Sequence, residues 1–179
     1  MISKARHKVL IKSEDIQKRV TKLANKITSD YKDKELLVIG ILKGSIPFFA
    51  DLVRAIDKDI EFGFIGLTSY GKGTKSTGNV SINMDLVTSV EGKHVLIVED
   101  IIDSGNTFVY LKNLLISRGV ASVALCSLLD KPLRREVDII INYVGFEIPD
   151  EFVIGYGLDY AEKYRNLRDV CILDPSEYE

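Results

Sequence analysis

The stretch VLIVEDIIDSGNT, Val95 to Thr107, decides how this chain folds. Four consecutive aliphatic residues, Val95 to Val98, read as a strand covered on both faces, as in parallel sheets. The run stops at two adjacent carboxylates, Glu99 and Asp100. A third, Asp103, follows, and then the small residues Ser104, Gly105, Asn106 and Thr107. Phe108, Leu111 and Leu115 recur at helical spacing. A strand that ends in acids, a turn rich in hydroxyls and glycine, and a helix start together make a site for a phosphorylated sugar. Backbone N–H groups and the positive helix end hold the phosphate, and the acids reach sugar hydroxyls or a hard cation. Taken alone, D-S-G-N-T is ordinary turn chemistry and acids near a helix start are ordinary caps. Two acids before the turn and one inside it point to a ligand instead.

Working outward, Leu36 to Leu42 (LLVIGIL) is a second continuous apolar run, hence another buried strand. Lys43-Gly44-Ser45 turns, Pro47 suits a first helical turn, and Phe48, Phe49, Leu52, Val53 and Ile56 follow at helical spacing. Upstream, Ser13-Glu14-Asp15 reads as a helix start with a capping hydroxyl and early acids. Ile16, Val20, Leu23 and Ile27 then lay one apolar stripe to about Tyr31. Glu61 to Thr68 reads as a strand and Val80 to Asp85 as its antiparallel neighbour. The loop between them, residues 69–79, carries three glycines and two lysines and is expected to be mobile. Ala121 to Leu129 is a further strand, followed by the charged turn Asp130 to Glu136. Ile139 to Ile141, Phe152 to Ile154 and Val170 to Leu173 are short strand candidates. Strands alternating with helices predict an α/β fold with a parallel sheet. Ligands bind such sheets beyond the carboxyl ends of the strands. Lys43-Gly44, Glu99 to Thr107, Lys131 and Asp159 all follow strands and are expected to gather at one edge.

With 179 residues, 46% hydrophobic and 28% charged, the chain fits a single globular domain over 1–179. Formal net charge is −2 and no lysine-arginine block stands out, which argues against nucleic-acid binding. No apolar run approaches the ~20 residues that cross a bilayer. The N-terminus, MISKARHKVLIKSED, lacks the apolar core of a signal peptide. A cytoplasmic location with no membrane partner is expected. Cys126 and Cys171 sit in apolar runs and read as buried free thiols.

The segment Val95 to Thr107 resembles the phosphoribosyl pyrophosphate (PRPP) signature of type I phosphoribosyltransferases. More narrowly, it is similar to the form found in hypoxanthine-guanine phosphoribosyltransferases. The resemblance runs from about residue 36 to 173 and includes Gly145 to Tyr160, GFEIPDEFVIGYGLDY. The implied fold is a twisted, mainly parallel sheet flanked by helices, with a small hood made by terminal segments. Leu42-Lys43-Gly44 matches the family's pyrophosphate loop, whose Leu-Lys peptide is often cis. Ser69-Tyr70 matches the tip of its closing loop. Glu99 and Asp100 match the acids that hold ribose hydroxyls and Mg²⁺; because adjacent strand residues point to opposite faces, both can serve the ligand only if the chain turns there. Ser104, Gly105, Asn106 and Thr107 match the 5′-phosphate cradle, and Asp103 matches the general base acting on purine N7.

By the same resemblance Lys131 donates to the purine 6-oxo group, Phe152 stacks on the base and Val153 offers backbone groups to its edge. Asp159 lies beside the base and binds the magnesium on pyrophosphate, which Arg165 also contacts. The implied reaction is purine salvage: PRPP plus hypoxanthine or guanine gives the nucleoside monophosphate and pyrophosphate, with Mg²⁺ as cofactor and a homodimer or homotetramer as the assembly. Two alternatives stay open on sequence. One is a regulator of the same fold that binds PRPP and nucleic acid without turnover; the other is an enzyme that prefers xanthine or another base.

Overall fold

The computed structural model describes residues 6–69 and 80–178. A three-stranded antiparallel sheet and a six-stranded sheet are formed by nine strands and three helices. In chain order these are β1 (His7–Ile11), α1 (Ser13–Asp30), β2 (Leu36–Leu42), α2 (Ile46–Ala55), β3 (Glu61–Ser69) and β4 (Val80–Met84). There follow β5 (His94–Ile102), α3 (Asn106–Ser117), β6 (Ser122–Asp130), β7 (Tyr143–Glu147), β8 (Val153–Ile154) and β9 (Val170–Leu173). The larger sheet has the order β4-β3-β2-β5-β6-β7 and is parallel except for β4. The smaller sheet, β1-β9-β8, joins the two ends of the chain as the hood.

The centre of the larger sheet follows from the apolar runs. Leu96 and Val98 face a core filled by Ile16, Val20, Phe48 and Leu52 of α1 and α2. Val95 and Ile97 face the other core, filled by Phe108, Leu111 and Leu115 of α3. Alternate residues of one strand thus feed two layers, which is why β5 is continuously apolar rather than alternating. Each such side chain contributes about 1.5–3 kcal/mol by burial. Cys126 and Cys171 are buried free thiols, as expected. Among the described residues no helix is long and apolar enough to cross a membrane.

The structure corrects several expectations. β5 does not stop at Glu99 but pairs with β6 as far as Ile102, although its pairing with β2 ends at Val98. The strand expected at Ile139 to Ile141 is absent; Ile139 and Ile141 pack as a loop over the α3 layer. Asn142 receives the Leu125 N–H on its side-chain oxygen (2.9 Å), and pairing with β6 begins one residue later, at Tyr143. β8 is confined to Val153–Ile154, leaving Phe152 outside it. Ser13 is not the cap of α1: it is the first helical residue, and its N–H donates to Asp169 Oδ1 at 2.7 Å, so the cap comes from the far end of the chain. β1 was not legible as a strand because three of its five residues are exposed and its partner β9 lies some 160 residues away (His7 pairs with Leu173).

Two contacts to one Asp51 oxygen tie the hood and both helices together. Tyr156 donates its hydroxyl to Asp51 of α2 at 2.6 Å, and Gln17 of α1 donates to the same carboxylate oxygen at 2.5 Å. A third is steric. Gly157 has φ +103°, and a Cβ there would run into the carbonyl oxygen of Gly44 and come within 2.9 Å of Pro47 Cδ. Only glycine lets the hood loop lie against the Lys43-Gly44 turn. Gly157→Ala should therefore lower stability by about 2–4 kcal/mol, combining left-handed strain with a backbone clash. Urea denaturation checks this; a loss below 1 kcal/mol would show that the two loops part easily.

Candidate active site

The turn after β5 builds an anion cradle. Asp103, Ser104 and Gly105 carry the chain from the strand into α3, with Gly105 at φ +89°. Ser104 Oγ receives the Asn106 N–H at 3.3 Å, and no acid occupies the first turn of α3. The positive end of the helix is thus free of an acid on its own first turn. The loop after β6 clamps this turn from above. Lys131 N–H donates to Ile102 O (3.0 Å) and Glu136 N–H to Ser104 O (3.0 Å). Asn106 Nδ2 donates to Glu136 Oε2 (2.7 Å), and Val137 and Ile139 pack on Gly105. Cradle and clamp are therefore one unit.

Glu99 and Asp100 obey strand alternation; the chain does not turn between them, contrary to the condition set from sequence. Glu99 lines a small cavity of about 90 Å³ with Ile41, Asp103, Ser104 and Gly105. Asp100 lies against Gly44, so closely that a Cβ on that glycine would overlap its carboxylate. Burial pushes the Glu99 carboxyl well above its usual range, the neighbouring Asp100 charge adds to this, and its Oε2 has no hydrogen-bond partner. Burial likewise raises Asp100 to about 6. Backbone N–H groups of Asp100 and Ile101 and the Arg165 charge oppose the shift, and Asp159 reinforces it.

The Leu42–Lys43 peptide is cis. Beside it a cleft of about 610 Å³ is lined by Lys43, Gly66, Asn83, Glu162 and Arg165. Arg165 lies 2.8 Å from Asp159 Oδ1 and donates to Gly157 O (2.8 Å). Glu162 brings its carboxylate between Lys43 (3.2 Å) and Arg165 (3.3 Å), and its N–H donates to Asp159 Oδ2 (2.9 Å). Its carboxyl sits below the usual range because Lys43 and Arg165 hydrogen-bond to it.

On the third side, Lys131 is 8% exposed, with Nζ 3.7 Å from Asp150 Oδ1. Arg134 joins Asp150 (3.5 Å) to Asp103, whose Oδ1 it approaches at 2.9 Å as an ion pair without an aligned hydrogen bond. Phe152 remains 37% exposed and Val153 is buried.

The structure thus places Lys43 and Arg165 on one cleft, with Asp159 paired to Arg165 and Asp100 packed against Gly44. It groups Glu99 and Asp103 to Thr107 under the Lys131 loop, with Phe152 two residues beyond Asp150. Ser69 ends β3, its backbone paired with Val80. Tyr70 lies outside the described residues. Sequence reasoning missed Arg134, Glu136, Asp150 and Glu162. Glu162 reaches Arg165 only because Ala161, Glu162 and Tyr164 all adopt positive φ, which no residue type among them announces.

Parallel sheet, terminal hood and cradle define a phosphoribosyl transferase, and the family profile of the phosphoribosyl transferase domain matches residues 10–161. The hypoxanthine-guanine phosphoribosyltransferase of Bacillus subtilis is 53% identical over 172 residues, 96% of each chain. A crystal structure of a hypoxanthine phosphoribosyltransferase from Staphylococcus aureus superposes with a TM-score of 0.93 at 49% identity, covering 96% of this chain and 94% of the other. The hypoxanthine phosphoribosyl transferase of Trypanosoma cruzi, solved to address how its C-terminal region affects oligomeric state and enzymatic activity, gives a TM-score of 0.92 at 41% identity over 99% and 96% of the two chains. The chain belongs to the hypoxanthine-guanine phosphoribosyltransferase family.

A raised carboxyl in the folded state has a consequence for stability. Asp100 keeps its proton in the folded protein over a range, from 3.8 to about 6, in which the unfolded chain has lost it. Its contribution is present below that range and is lost as pH rises through it, on the order of 1–3 kcal/mol. In ligand-free protein without divalent cations, Asp100→Asn should raise the melting temperature at pH 7.5 by several degrees, at ~2–4 °C per kcal/mol. At pH 4 it should change it little. An equal shift at both pH values would contradict the assignment.

Proposed function

We propose that this chain transfers the 5-phosphoribosyl group of PRPP to hypoxanthine or guanine, releasing pyrophosphate. The observation that carries this reading is the clamp: the loop bearing buried Lys131 is hydrogen-bonded to the anion cradle through Ile102 and Ser104. A phosphate subsite and a base subsite therefore belong to one hydrogen-bonded unit. Backbone N–H groups of Ser104 to Thr107 hold the 5′-phosphate. Lys43-Gly44 and Arg165 hold the pyrophosphate; since β5 does not turn between the two acids, Glu99 on the cradle side and Asp100 on the Gly44 side reach the ribose hydroxyls from the two faces of the strand end. Phe152 stacks on the purine, Lys131 donates to its 6-oxo group and Val153 lends backbone groups to its edge. The same Lys131 would face the amino group of adenine donor to donor, which disfavours that base.

Asp103 takes the N7 proton as the purine nitrogen attacks the anomeric carbon and the bond to pyrophosphate breaks. Ser69 and Tyr70 belong to the loop that closes over the reaction and excludes water. The donor set fits Mg²⁺. Glu99 Oε2 is without a partner, and Asp100 and Asp159 supply further carboxylates. Among the described residues no three His, Cys, Asp or Glu side chains form a complete cage, and Mg²⁺ commonly takes one or two carboxylates plus substrate phosphates. Bound there, it would neutralise charge on the departing pyrophosphate. Residues 1–179 act as one domain in this reading, in the cytoplasm and as a homo-oligomer.

Incubation with PRPP, Mg²⁺ and a panel of hypoxanthine, guanine, xanthine and adenine, followed by pyrophosphate release, tests the reading. Turnover with the first two supports it; none with any 6-oxopurine overturns it. Asp103→Asn should cut kcat by about 10²-fold or more, the scale of a lost general base, with little change in the KM for PRPP. Lys131→Ala should raise the purine KM far more than the PRPP KM, and an equal rise in both would make Lys131 structural.

A further inference from the structure

Phe152 has a neighbour that the proposed reaction does not use. Tyr178 lies with its ring 5.0 Å from that of Phe152 and tilted by 30°, an aromatic pair in contact. Tyr160 meets Phe152 edge-on at 5.7 Å and 89°, and also contacts Tyr178 at 6.4 Å. Tyr178 thus packs against the Phe152 ring, and Phe152 still keeps 37% of its surface exposed for a ligand.

The tail is locked in this position. Asp174 N–H donates to Arg6 O (3.0 Å), and Asp174 Oδ1 accepts from both the N–H (3.0 Å) and the hydroxyl (2.7 Å) of Ser176. Pro175–Glu177 form a tight 3-10 turn whose end brings the Tyr178 N–H to Pro175 O (3.1 Å). Arg6 N–H donates back to Glu177 Oε1 (3.1 Å), and Leu173 N–H donates to Phe152 O (2.9 Å). Tyr178 itself packs against the cluster of Ile154, Cys171 and Leu173 on the hood. Phe152 precedes β8 with its carbonyl held by Leu173 N–H, and its aromatic-ring contacts among the described residues are these two tyrosines.

We propose that Tyr178 is a positioning residue for the purine: it backs Phe152 and fixes the ring plane on which the base stacks. This rests on the assignment of Phe152 as the base platform. An aromatic pair of this kind supports roughly a 2- to 10-fold difference in affinity. Lost support should therefore appear in the purine KM, because Tyr178 touches neither the anion cradle nor the pyrophosphate cleft.

Tyr178→Ala, Tyr178→Leu and Tyr178→Phe are compared with the unaltered protein in kcat and in KM for hypoxanthine and for PRPP, with thermal melts and sedimentation to follow fold and assembly. Tyr178→Ala is expected to raise the hypoxanthine KM about 3- to 10-fold, with PRPP KM, kcat and assembly unchanged and Tyr178→Phe close to the unaltered protein. Tyr178→Leu keeps apolar bulk without the ring and carries the same test should the alanine variant unfold. A parallel rise in both KM values, a change in assembly that accounts for the loss, an unchanged purine KM, or a lower one would each overturn the proposal; a lower KM would mean that Tyr178 covers the face the base needs. Turnover by the unaltered protein separates these failures from failure of the proposed function, which would remove turnover altogether.

Discussion

Two carboxyl groups are buried side by side at the carboxyl end of β5, and nothing among the described residues pairs them fully. Glu99 and Asp100 continue a strand whose preceding residues are sealed between two apolar layers. Desolvation raises both carboxyls, and one Glu99 oxygen has no hydrogen-bond donor. Isolated buried carboxylates are costly unless paired, so the fold gives up stability at this place. That cost makes sense if hydroxyls and a cation arrive with a ligand. The strain is local because the rest of β5 is held by parallel neighbours on both sides.

The remaining parts of the site are held against that strand end by close backbone approaches rather than by large side chains. Gly44 meets Asp100, and Gly157 meets Gly44, each at a separation that a side chain would forbid. The loop after β6 binds the turn after β5 through two backbone hydrogen bonds and the Asn106–Glu136 contact. The hood, the Lys43-Gly44 turn and the turn after β5 are consequently all tied to the end of β5. Glu162, placed between Lys43 and Arg165, gives those cations an internal anionic partner. Ion pairs this exposed add little to stability.

The central sheet was legible because buried parallel strands leave apolar runs, as in β2, β5 and, apart from Ser127, β6. The cradle was legible because a glycine at positive φ and a helix start follow β5 directly. What escaped reading depends on distant pairing. β1 is mostly exposed and becomes a strand only against β9. Asp169 caps a helix that starts at Ser13. Lys131 looks like one lysine in a charged turn, and only the packing of that turn onto Ile102 and Ser104 buries it. Tyr178 reaches Phe152 through a tail geometry set by Asp174 and Arg6, for which the local sequence carries no signal.

The central claim is that burial at the end of β5 raises the proton affinity of Glu99 and Asp100, and that ligand and cation binding there lower it. Calorimetric titration of PRPP with Mg²⁺ near pH 6, in buffers of different ionisation enthalpy, measures the resulting proton release directly. The account predicts net proton release that requires Mg²⁺ and shrinks in Asp100→Asn by more than the ligand's own phosphates explain. Binding with identical proton exchange in the two proteins would contradict it.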